Sequence, residues 1–199
     1  KYINLGTDYN FFELFQKIQI NFANCFLFES LGEESNISRY HIIGFDPKYI
    51  ISSKNDNELK INCPKSGETD TITCENPYYK LRDIIPQNVI SRKYAGGLVG
   101  YISYDSINYF ESNLNIKKHP KFESFKFGVF LDGLIYDQMT GEVFYYYYEE
   151  NKIEKIKKII KQKNKKNSKV QCKFLYDSMT KDQHKKTVLK IKDDIKNGL

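Results

Sequence analysis

The run FKFGVFLDGLIYD, Phe125 to Asp137, followed by QMTG and then EVFYYYY, Glu142 to Tyr148, leaves a chain few ways to fold. Both flanks are rich in aromatic and β-branched residues, and a short break containing Gly141 separates them. Such a pattern predicts a long hairpin, and with it antiparallel pairing. A lone hairpin is marginal in water, so further strands or a covering helix must complete it.

Other segments supply those strands. CFLFESL, Cys25 to Leu31, and ISRYHIIGF, Ile37 to Phe45, read as strands parted by a polar turn at Gly32 to Asn36; Asp46-Pro47 ends the second. KYIISSK and ELKIN, split by Asn55-Asp56-Asn57, predict another hairpin, and residues 62–76 are expected to form a polar surface loop. Helical spacing is scarcer. Thr7 and Asp8 are expected to cap a helix with Phe11, Phe12, Leu14, Phe15 and Ile18 on one face. Pro77 to Ile85 carries Tyr78, Leu81 and Ile84 at helical spacing, stopped by Pro86. A closing helix is capped by Ser178 or Thr180 and runs through Val188, Ile191 and Ile195. Strands outnumber helices, and hairpins outnumber βαβ units, so the expected fold is α+β with largely antiparallel sheet.

A chain of 199 residues suggests one domain, possibly two, and 40% hydrophobic residues suffice for a core. No apolar run approaches the roughly 18 residues of a membrane span. The start, KYINLGTDYNFFELF, lacks the pattern of a secretory leader. Cys25, Cys63, Cys74 and Cys172 are scattered with no CxxC, which argues against a metal site or disulfide framework and for a cytoplasmic setting. The net charge of +6 draws on Lys152 to Lys169, which holds nine lysines. There Ile153, Ile156, Ile159 and Ile160 form an apolar stripe, and no aromatic or arginine is interleaved to stack bases or grip phosphates. A solvated basic face is expected, with no nucleic-acid partner.

The stretch GGLVGYISYDSINYFE, Gly96 to Glu111, spends three glycines within five residues. A phosphate-binding loop must open a helix. These glycines open a predicted strand, Leu98 to Tyr104, so a close approach of backbones is the better reading. Tyr101, Tyr104 and Asp105 are read as architecture and not as catalysis.

That stretch closely resembles a segment of component I of anthranilate synthase and of its relative, aminodeoxychorismate synthase component I. FLFES, Phe26 to Ser30, is similar to the family's LLES element, with Phe28 where leucine is usual. ISRYHIIGFDP resembles its R-Y/F-S strand, VFLDGLIYDQMTGEVFYY its YDHxxG hairpin, and SMTKDQHKKTVLKIKDDIKNG the helix that leads into its catalytic half. The motifs stand in family order over nearly the whole chain.

The resemblance implies a largely antiparallel two-sheet sandwich flanked by helices, the N-terminal part of a four-layer α/β/β/α fold. It implies a regulatory domain over 1–175 and the start of a chorismate-binding catalytic domain over 176–199. In the family the N-terminal part binds the feedback inhibitor tryptophan. The positions that carry over are Glu29, Ser30, Ser38, Arg39 and Tyr40. A zwitterion needs an acceptor for its ammonium and donors for its carboxylate, and an indole needs a flat slot that Phe26, Phe28 or Tyr40 can line. The plainer alternative is a cross-strand ion pair between Glu29 and Arg39. Chorismate and Mg²⁺ belong by resemblance to the C-terminal half, and a glutamine amidotransferase subunit supplies ammonia. No catalytic or metal-ligating residue is assigned to this chain: His41, His119 and His184 have no motif around them. The sequence reads as an N-terminal fragment, inactive by itself. Aminodeoxychorismate synthase component I is the near alternative, and a free-standing amino-acid-binding module is the alternative from another class.

Overall fold

The computed structural model describes residues 1–30, 32, 38–84, 96–111, 113–163 and 171–198. Two compact units are present, Lys1–Asn164 and Lys165–Leu199. The first carries two five-stranded antiparallel sheets with helices, the α+β fold expected. Its elements in chain order are β1 (Tyr2–Gly6), α1 (Phe11–Asn21), β2 (Cys25–Phe28), β3 (Tyr40–Phe45), β4 (Tyr49–Ser53), β5 (Glu58–Asn62), β6 (Thr69–Thr73), α2 (Pro77–Lys80), β7 (Gly97–Ile102), β8 (Phe125–Phe130), β9 (Asp132–Asp137), β10 (Glu142–Tyr147) and α3 (Ile153–Ile160). The second unit carries α4 (Lys181–Lys196).

One sheet has the order β1-β10-β9-β3-β2 and the other β6-β5-β4-β8-β7. The expected long hairpin is half right. β9 and β10 pair across the Gly141 turn, but Phe125–Phe130 belongs to the other sheet. Only Leu131 separates β8 from β9, and only Asp46 to Lys48 separate β3 from β4. Two neighbouring strands thus bend together from one sheet into the other, because each turns at the same level of the ladder.

Apolar spacing decides what covers each sheet. Phe11, Leu14 and Ile18 of α1 and Ile156 and Ile159 of α3 pack onto Ile43, Phe45, Leu134, Val143 and Tyr145 of the first sheet. The lysines of α3 fall on its outer face, so this short helix is held by its isoleucines, each worth about 1.5–3 kcal/mol when fully buried. A second core on the other sheet joins Ile51, Leu59, Phe125 and Val129 to Leu81 and Tyr109.

Several local expectations change. Asn10 caps α1, its side chain accepting from the Glu13 amide at 3.1 Å, while Thr7 and Asp8 lie before it with Asp8 at φ 65°. The expected loop over 62–76 contains β6, an edge strand whose TDTIT sequence offers a single apolar residue, Ile72, to the core and so hides its pairing. β1 was not foreseen for the same reason of position: it too sits at a sheet edge. The predicted strand Leu98 to Tyr104 ends at Ile102, and a 3₁₀ turn over Tyr104–Tyr109 follows. The helix from Pro77 ends at Lys80 and continues as a 3₁₀ turn over Leu81–Asp83; the stop at Pro86 lies outside the described residues. Thr180, not Ser178, caps α4, through a reciprocal capping box with Gln183. The polar turn over Gly32 to Asn36, apart from Gly32, and the end of the lysine run also lie outside them.

The glycines of the Gly96 stretch serve two ends. Gly96 has φ +93°, which disfavours a side chain. At Gly100 a Cβ would sit 1.9 Å from the Lys126 carbonyl oxygen, the close backbone approach expected.

Candidate functional site

Three strands converge at one end of the first sheet. β3 lies between the edge strand β2 and β9, with Phe28 opposite Ile42 and Tyr40 opposite Asp137. Glu29 and Ser30 therefore leave β2, Ser38 and Arg39 enter β3, and Asp137 and Gln138 leave β9, all at the same level. Four of the five residues carried over from the resemblance are placed together by these contacts: Glu29 through His41, and Ser30, Arg39 and Tyr40 directly. Ser38 is buried beside them in sequence.

Arg39 does not pair with Glu29, so the plainer ion-pair alternative fails. Its Nε donates to Asp137 Oδ1 at 2.9 Å and its Nη2 to Oδ2 at 2.8 Å, a bidentate contact to a carboxylate only 1% exposed. These hydrogen bonds push the guanidinium pKa up. The same carboxylate accepts from the Met139 amide at 3.1 Å and so also shapes the β9–β10 turn. Arg39 Nη1 makes no hydrogen bond among the described residues, and the group stands over the Tyr40 ring at 5.1 Å. Glu29 is exposed, with Oε1 3.8 Å from His41 Nδ1. The Ser30 hydroxyl donates to the Tyr40 carbonyl at 3.3 Å, a long bond. His41 also meets Phe11 and Tyr136 edge-on, an ordinary aromatic packing role. Phe28 is 50% exposed and tilts against Phe26 at 4.7 Å. The end of the sheet thus offers an acceptor, a hydroxyl, an arginine edge and an aromatic face.

Sequence reasoning missed Asp137 and Gln138. Both lie in the YDQMTG motif, where Asp137 reads as the end of a strand and Gln138 as the start of a turn. Their partners are 98 and 108 residues away, and no local pattern announces that.

Two of the cavities among the described residues lie elsewhere. One of about 310 Å³ runs beside Phe26, Ile50, Val99, Tyr101 and Phe130. Phe26 therefore serves this groove, with its edge on Phe130 at 4.9 Å. The other, about 200 Å³, is lined by Asp46, Lys48, Cys63, Lys65, Glu149 and Lys152 among others. A hydrogen bond from the Ser66 hydroxyl, helped by the backbone amides of Ser66 and Lys65, pulls the Cys63 thiol pKa down, whereas burial pushes those of Cys25 and Cys74 up. Since the thiolate is the nucleophile, iodoacetamide at neutral pH is expected to alkylate Cys63 before Cys25 and Cys74. Ser66→Ala narrows the gap in peptide mass spectra; equal rates in the unaltered protein would refute this.

Among the described residues no three His, Cys, Asp or Glu side chains cluster closely enough to hold a metal ion. Nor is any helix among them long and apolar enough to cross a membrane.

A family model described as chorismate binding enzyme matches residues 23–199. The chain belongs to that family. It is 38% identical over 197 residues to anthranilate synthase component 1 of Leptospira biflexa, covering 98% of this chain and 41% of that protein. The component 1 of Methanothermobacter thermautotrophicus is 36% identical over 152 residues, 76% of this chain and 32% of its own length. The family resemblance carried by the four motifs therefore holds over most of the chain, which spans about two-fifths of the first relative, 41%. Among solved structures, anthranilate synthase component I from Streptococcus pneumoniae aligns with TM-score 0.48 at 18% identity over 65% of this chain and 30% of that one, too distant to inform the site.

Proposed function

We propose that this chain is the N-terminal, tryptophan-binding regulatory part of an anthranilate synthase component I. In this reading the whole enzyme converts chorismate, with ammonia that a glutamine amidotransferase subunit releases from glutamine, to anthranilate and pyruvate. Residues 1–175 regulate, and 176–199 lead into the chorismate- and Mg²⁺-binding part, without which the chain is inactive. The observation that carries the proposal is the 38% identity over 197 residues to a protein of that name.

The regulatory role draws its support from the sheet end. A bound amino acid is held by its two charges. The exposed Glu29 carboxylate accepts from the ammonium. The outer edge of Arg39 and the Ser30 hydroxyl donate to the carboxylate, the latter by giving up its long bond to the Tyr40 carbonyl. Asp137 has already fixed the guanidinium plane, so little side-chain entropy is lost on binding. Tyr40, under the Arg39 guanidinium, and the half-exposed Phe28 are the aromatic faces on offer for the indole.

Ser30→Ala and Arg39→Ala test this in the complete gene product. Tryptophan is titrated at fixed chorismate, and anthranilate fluorescence is scored against each variant's own uninhibited rate. A lost hydrogen bond to a charged group costs roughly 1.5–3 kcal/mol, so Arg39→Ala is expected to weaken inhibition about ten- to a hundredfold. Ser30→Ala is expected to do so by a smaller factor. Unchanged inhibition in both places the effector elsewhere.

A further inference from the structure

β2 pairs with β3 only as far as Phe28, so Glu29 and Ser30 project past the ladder. Gln138, just beyond β9, reaches them. Its backbone N–H donates to the Arg39 carbonyl at 2.9 Å, extending the β3–β9 ladder by one step. Its side chain then crosses to the far neighbour: Nε2 donates to the Ser30 carbonyl at 3.3 Å and meets His41 Nε2. His41 in turn stands 3.8 Å from Glu29. One amide side chain thus fastens the exit of β2 to the entrance of β3 and the end of β9. None of these contacts uses the Ser30 hydroxyl or the free edge of Arg39, and only His41 stands near the Glu29 carboxylate.

We propose that Gln138 is a positioning residue for the effector site: it sets the height of Glu29 and Ser30 relative to Arg39, and so the effector affinity, without touching the effector. The proposal rests on the tryptophan-site reading above. The physical reason is preorganisation. Without the clamp, Ser30 keeps only its long bond to Tyr40 among the described residues, and binding must then order the pair at a cost in affinity.

Gln138→Met and Gln138→Glu keep the length of the side chain but remove its N–H donor. In the complete gene product, each is expected to raise the half-inhibitory tryptophan concentration by roughly three- to tenfold, the worth of one neutral hydrogen bond. The KM for chorismate should not move. Amide exchange at Ser30 and His41 in the effector-free protein should quicken, a change that a purely global loss of stability does not confine to these positions. Because Gln138 acts through Ser30, Gln138→Met is expected to add less than twofold in the Ser30→Ala background. If Ser30→Ala and Arg39→Ala weaken inhibition but both Gln138 variants keep it, the positioning role is overturned while the site stands. If none of the four weakens it, the site reading falls and takes this proposal with it. A general drop in melting temperature with uniformly faster exchange would also overturn it, making Gln138 a stability residue.

Discussion

Replacing Lys152 with alanine is expected to destabilise the first unit by about 3–5 kcal/mol, the usual result of removing one partner from a buried ion pair. Its side chain is 11% exposed, and the ammonium bridges Asp46 Oδ2 at 3.0 Å and Asp132 Oδ2, whose side chain is 7% exposed. Asp132 Oδ1 also accepts from the buried Tyr145 hydroxyl at 2.8 Å, and that hydroxyl accepts from the Lys152 amide at 3.0 Å. Truncation leaves two carboxylates facing each other with only the exposed Lys65, 4.0 Å from Asp46 Oδ2, as a nearby cation. For a unit of this size the melting temperature should fall by roughly 6–20 °C. A change under about 1 kcal/mol in urea unfolding would mean that water enters and solvates the acids.

The same network sets an alkaline limit. Burial pulls the Lys152 pKa down, but hydrogen bonds to Asp132 and Asp46 outweigh it and the net shift is upward from 10.5. Burial raises the Tyr145 pKa above its ordinary 10.0. Both groups hold their protons more tightly folded than unfolded. Their contribution is therefore full below about pH 10 and is lost as pH climbs through the folded values. Tyr145→Phe should make that decline shallower.

The second large effect concerns the two cores. Phe45 is fully buried and stacks on Phe22 at 4.8 Å in the core under α1 and α3. Phe125, equally buried, meets Tyr109 edge-on at 6.0 Å in the core of the other sheet. Truncating either to alanine is expected to cost about 3–5 kcal/mol through lost contacts and a cavity. Both variants should still melt in one step. β3–β4 and β8–β9 run through both sheets with almost no break, so neither sheet can lose its strands while the other keeps them. Two resolved transitions in either variant would show that the sheets fold independently.

What the sequence determined by itself was local or carried by motif. Spacing gave α3 its isoleucine face and α4 its stripe, since a helix answers to neighbours three and four residues away. The β4–β5 and β9–β10 hairpins were legible because their partners adjoin across short turns. Family membership was legible because four motifs kept their order. Only the tertiary structure decided the rest. It decided that Phe125–Asp137 divides between two sheets at Leu131, that polar TDTIT completes an edge, and that Arg39 is held by Asp137 instead of Glu29. In each case the deciding partner is remote in sequence: a strand's neighbour and a guanidinium's carboxylate are fixed when the whole sheet closes, and no window of adjacent residues contains that closure.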